Sequence, residues 1–252
     1  MTALLLAACG ETQSGAKASS STTEAQVTNP GPSTSLQPSG VQCLVSYGIS
    51  QSTTTTAVPF TLSPFANGDG IASGLLKSIS VYTMNPYQKI VDGIIGPKGW
   101  TCKGVVGADG GVRMTISGPK AQAIELSIPN GQGPSVMIGC PYFASAQAIS
   151  PCRDLTISPV IGESVKSLSS TEVLVTDPPL VQGNAQLSGG KYADESLVIW
   201  IPGYDLSGNA ANGKVGYAVQ ADCAMPASDQ NLCRAVLNFV SYWYVDPSLA
   251  GF

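Results

Sequence analysis

Seven cysteines, at positions 9, 43, 102, 140, 152, 223 and 233, constrain this 252-residue chain more than any other feature. Thiols in such number serve as disulfides, as metal ligands or as buried filler. Zinc sites draw on closely spaced Cys and His, and this chain has no CxxC pair and no histidine at all. No metal is therefore expected. Without histidine the chain also lacks the commonest general base and every Ser-His or Cys-His pairing. Carboxylate and Ser-Lys chemistry stay open.

Cys9 stands apart from the other six. It ends an apolar run, TALLLAA (2–8), far shorter than the roughly 20 residues needed to span a bilayer. Leu6-Ala7-Ala8-Cys9 resembles the bacterial lipobox: Leu, a small residue, Ala or Gly, then Cys. The resemblance implies a diacylglycerol on the Cys9 sulfur, cleavage just before it, and a lipid anchor on the extracytoplasmic face of the cell membrane. Residues 1–8 would then be the end of a truncated signal peptide. No Lys or Arg precedes the apolar run, so the true start is expected upstream.

The next stretch suits an anchor. Residues 10–40, GETQSGAKASSSTTEAQVTNPGPSTSLQPSG, carry only Val27 and Leu36 as sizeable apolar side chains. Such a segment cannot bury enough surface to offset the entropy of ordering it. It reads as a flexible tether with a mean reach of roughly 30 Å. One acyl chain anchors marginally, whereas two or three hold firmly.

Residues 41–252 form the folded part. The apolar fraction of 43% is ample for a core, while charged residues make up only 11%, against roughly a quarter in ordinary soluble proteins. A net charge of -4 with no basic block offers nothing to a phosphate backbone, so no nucleic-acid partner is expected. If Cys9 carries lipid, six cysteines remain, and an even number in an exported protein reads as three disulfides. Proximity suggests Cys140–Cys152 and Cys223–Cys233, leaving Cys43–Cys102 by elimination.

Periodicity predicts an α+β fold, an antiparallel-dominated sheet or sheets with a few covering helices. Strands are expected at 41–49, 75–83, 123–129, 135–143, 171–177, 195–203 and 214–223, with an edge segment at 57–62. A hairpin is expected at 103–117, turning at Asp109-Gly110-Gly111. Asn85 as N-cap, Pro86, and Tyr87, Ile90, Val91, Ile94 and Ile95 at helical spacing predict a helix ended by Gly96-Pro97. Ser228 as N-cap begins a second helix, with Leu232, Val236, Phe239, Val240 and Trp243 on its buried face. The stretch GPKGWTC (96–102) resembles segments of uncharacterised secreted proteins and lipoproteins of actinobacteria and implies no activity.

Candidate sites are few. In YDLSGNAANGKVG (204–216), Asp205, Ser207 and Asn209 alternate as in a calcium loop, but Ala210 and Gly216 stand where the EF-hand needs Gly and Glu. A turn is the better reading. Ser117-Gly118-Pro119-Lys120 matches Ser-x-x-Lys in letters only, because Gly-Pro breaks the helix that would bring Lys120 back to Ser117. Asp194, Glu195 and Asp205 flank a strand carrying Trp200, with Tyr204 near; acids beside aromatics suggest a carbohydrate-binding or carbohydrate-active module. Tyr242 and Tyr244 point away from the helix's buried face and could form a contact patch. The leading expectation is a membrane-anchored, non-enzymatic envelope lipoprotein binding or scaffolding an envelope protein or glycan, without cofactor. A two-lobed solute receptor fits less well, because helices are few.

Overall fold

A computed structural model describes residues 38–47, 50–53, 71, 74–84, 93–108, 110–150, 152–154, 164–176, 192–203 and 216–245. The chain divides into two units, Met1–Thr34 and Ser35–Phe252, and every described residue belongs to the second. That unit is α+β, with two sheets that are mostly antiparallel.

The first strands form one run of chain broken at a single residue. β1 (Ser39–Gln42) pairs in parallel with β4 (Ile79–Thr83), which pairs antiparallel with β5 (Gly93–Pro97) to complete a three-stranded sheet. Beyond Cys43 the chain crosses into a nine-stranded sheet as β2 (Leu44–Tyr47), which pairs with β3 (Ser50–Thr53) and, in parallel, with β6 (Thr101–Val106). The Cys43–Cys102 disulfide lies at this corner, and the Cys43 N–H donates to the Thr83 carbonyl of the other sheet at 2.8 Å. The bridge thus pins the point where the chain changes sheets.

β6 turns into β7 (Val112–Ser117) through the expected hairpin, where Gly110 adopts φ +84°, open to glycine at no steric cost. β8 (Ala123–Ile128) follows antiparallel. After β9 (Ser164–Ser167) and β10 (Glu172–Thr176) come the two longest strands, β11 (Tyr192–Pro202) and β12 (Gly216–Pro226). The order is β3-β2-β6-β7-β8-β12-β11-β10-β9, so the late strand β12 is inserted beside β8.

The sequence predicts a helix through Ile94 and Ile95; the structure places both in β5, each 0% exposed. Neighbouring side chains on a strand point to opposite faces, and here both faces are covered. A short apolar run buried on two sides has no period of its own, and part of it coincided with helical spacing. The remainder of the expected helix, 85–92, lies outside the described residues, as does the edge segment 57–62.

The expected strand at 135–143 is also corrected. It folds as α1 (Gln132–Gly139), then a turn and α2 (Ala144–Gln147). Pro134 sits in the first helical turn, where its missing N–H costs nothing. Val136 and Cys140, four apart, are both buried. Cys140 joins Cys152, and Cys223 at the end of β12 joins Cys233 in the first turns of α3 (Gln230–Tyr244). Both proximity-based pairings are present, as is Cys43–Cys102, the one left by elimination. The cap of α3 differs from expectation: Asp229 occupies the N-cap position, and Ser228 lies in a short 3-10 turn before it.

Two cores result. The larger lies between the inner face of the nine-stranded sheet, the three-stranded sheet and α3. The smaller lies on the outer face, where α1 and α2 close over β10, β11 and β12 around Trp200. Among the described residues no helix is long and apolar enough to cross a membrane.

Candidate functional site

Strand alternation sends Ile124, Leu126, Tyr217, Val219, Ala221, Leu197 and Ile199 to the larger core. It therefore sends Glu125, Asp222 and Ser196 to the opposite face. Register then lines them up. Lys103 on β6 faces Thr115 on β7, Thr115 faces Glu125 on β8, Glu125 faces Asp222 on β12, and Asp222 faces Ser196 on β11. Five strands supply one polar row across the middle of the sheet.

At its centre two acidic residues are register partners, each only 9% exposed. Glu125 receives the Arg113 guanidinium at 3.0 Å and the Thr115 hydroxyl at 3.3 Å, on different oxygens. Asp222 receives two donors on one oxygen, Oδ1: the Ser196 hydroxyl and the Gln220 amide, the latter at 3.0 Å. Burial pushes the Asp222 carboxyl above its ordinary range, and the nearby Glu125 charge adds to the rise. The Ser196 and Gln220 hydrogen bonds and the Arg113 charge work against it. Ser196 is 1% exposed, with its hydroxyl directed at Asp222. The chemistry on offer is the holding and release of a proton.

The larger core holds a separate buried acid. Glu195, 3% exposed, accepts from Gln230 Nε2 at 3.0 Å, while its second oxygen has no hydrogen-bond partner among the described residues. Gln230 opens α3, whose N-terminal dipole favours a negative group.

The residues expected to form a carbohydrate site do not assemble. Trp200 is 0% exposed; its indole N–H donates to the Ser145 hydroxyl at 3.0 Å inside the smaller core. Glu195, at an odd position of β11, lies on the opposite face of the sheet. Asp194 shares the Trp200 face but stands six residues away, about 20 Å along the strand. Tyr204 and Asp205 lie outside the described residues. The expected tyrosine patch is also divided. Tyr242 is half-buried and stacks edge-on to Trp243, but Tyr244 is fully buried, its hydroxyl donating to the Gly93 carbonyl at 2.7 Å. Helical geometry carries it round to the strip that begins with Cys233, Val236, Leu237 and Val240.

Sequence reading passed over Glu125 and Asp222. The signal was present, a lone acid in each of AIELSI and YAVQADCAM, but an alternating strand normally shows such a position to water. Comparison with family profiles, with curated proteins and with solved structures gives no match.

Proposed function

We propose that this chain is an extracytoplasmic lipoprotein, anchored in the cell membrane through acyl chains on Cys9, whose folded unit binds or scaffolds an envelope partner and catalyses no reaction. The observation that carries this reading is the cysteine pattern. Six of the seven cysteines form three bridges, and the seventh follows Leu6-Ala7-Ala8 at the head of a 31-residue polar tether. Bridges of this kind persist where the surroundings are oxidising, the compartment a lipobox protein reaches. The buried acids and Trp200 are engaged within the fold, which favours a structural role for them. The partner chemistry this reading allows is an envelope protein or a glycan.

The test is Cys9→Ser in the native host, with fractionation and mass spectrometry of the mature N-terminus. The expected result is loss of lipid label and transfer to the soluble fraction. A Cys9→Ser chain that stays with the membrane, or a wild-type Cys9 that carries no lipid, overturns the anchor.

A further inference from the structure

We propose that Glu125 and Asp222 share a single proton across the β8–β12 seam, and that releasing it loosens the seam, so that the tightness of the folded unit varies with ambient pH. This inference does not rest on the lipid anchor.

The geometry leads there in three steps. First, the two residues are register partners on antiparallel neighbours, with Cβ atoms roughly 5 Å apart, a separation at which like charges destabilise a sheet. Secondly, both are only 9% exposed, so water screens their repulsion poorly. Thirdly, the donors are unequally shared. Glu125 has the Arg113 guanidinium on one oxygen at 3.0 Å and the Thr115 hydroxyl on the other. Asp222 has two neutral donors, both on Oδ1. One carboxylate and one carboxylic acid satisfy this arrangement, and two carboxylates do not. The proton belongs on Asp222.

Arg153, in the 3-10 turn that contributes Cys152 to the smaller core, is exposed. Lys103 lies two strands beyond Glu125 and is exposed. Asp194 on β11 is on the same face, opposite Ala224. α1, which packs on β12, consists of Gln132–Gly139 and has no titratable side chain. Glu195 and α3, with Arg234, lie on the other face of the sheet. The seam occupies the middle of the nine strands, and β12 also holds α1 and α3 in place. A charge pair there acts on both cores.

The sign comes from linkage. The folded state holds the Asp222 proton more tightly than an unfolded chain, whose Asp titrates near 3.9. Stability from this group is complete below that pH and is lost as pH rises through the folded value. Over that window the unfolding equilibrium shifts toward the unfolded state by up to tenfold per pH unit, the limit for one proton.

The experiment is urea unfolding of the full chain from pH 4 to 9, for wild type, Asp222→Asn and Glu125→Gln, with infrared spectroscopy of the wild type at about pH 6, where ordinary carboxyls are ionised. An Asn amide imitates the protonated acid. The ratio of wild-type to Asp222→Asn unfolding constants should therefore climb with pH, and Glu125→Gln should flatten the wild-type decline. The infrared spectrum should show the carbonyl band of one protonated carboxylic acid. A ratio that stays constant, or a Glu125→Gln protein with the wild-type pH course, overturns the shared proton. If neither variant folds, the infrared band decides, read in Glu195→Gln so that the other buried acid contributes nothing: its absence refutes the proposal and its presence supports it.

Discussion

Trp200 is wedged between two glycines, and the wedge predicts a coupling that can be measured. A Cβ placed on Gly216 would come within 1.8 Å of Trp200 Cη2, 2.1 Å of Cζ2 and 2.4 Å of Cζ3. All three atoms belong to the outer ring of the indole. The ring has nowhere to retreat. On its other side a Cβ on Gly139 would already lie 2.9 Å from Cδ2 and Cε3, and the indole N–H is tied to Ser145. Restoring ordinary contact therefore requires moving β12 away from β11. Overpacking of this kind costs about 3 kcal/mol, or a shift of about 1 M in the urea midpoint of a unit this size. Trp200→Phe alone opens a void and forfeits the Ser145 hydrogen bond, at about 2 kcal/mol. Phenylalanine has no atoms where Cη2, Cζ2 and Cζ3 stood. Gly216→Ala in the Trp200→Phe background thus meets empty space and should cost under about 1 kcal/mol. The coupling is then about 2 kcal/mol, within the range found for residues in contact. The assay is a four-member urea-unfolding cycle, with unchanged m values as the sign that the two-state comparison holds. Equal costs of Gly216→Ala in the two backgrounds would refute the wedge.

Tyr244→Phe removes a hydroxyl that both donates to the Gly93 carbonyl and accepts from the Gly93 N–H. Losing both hydrogen bonds to the buried Gly93 backbone should cost about 2–3 kcal/mol, seen as a lower thermal midpoint, and a change below about 0.5 kcal/mol would contradict the contact. Among the bridges, Cys43–Cys102 closes a separation of 59 residues, against 12 and 10 for the other two. On loop entropy its paired Cys→Ala variant should lose about 4 kcal/mol, against about 3 kcal/mol for each of the others. Calorimetry ranking the long bridge last would reject that account.

Local chemistry by itself determined a good part of this protein. Alternation in β7 and β10 marked them as half-buried strands, Gly110 suited the turn between β6 and β7, and the apolar strip of α3 marked a helix. Short separations picked out two bridges and left the third. Each is a decision among near neighbours, where side-chain period and turn conformation settle the outcome. Packing decided the rest. Ile94 and Ile95 suited a helical face as well as a doubly covered strand, and only β4 beside them, with cover on both faces, selected the strand. The apolar run at 135–143 became helical where its Val136 and Cys140 meet Trp200, Val198 and Ala218 across a sheet assembled from later sequence. Glu125 and Asp222 are 97 positions apart in the chain. No local pattern could pair them, because register between strands is a property of the whole sheet. The insertion of β12 beside β8 alone turned two ordinary surface-like acids into one buried pair.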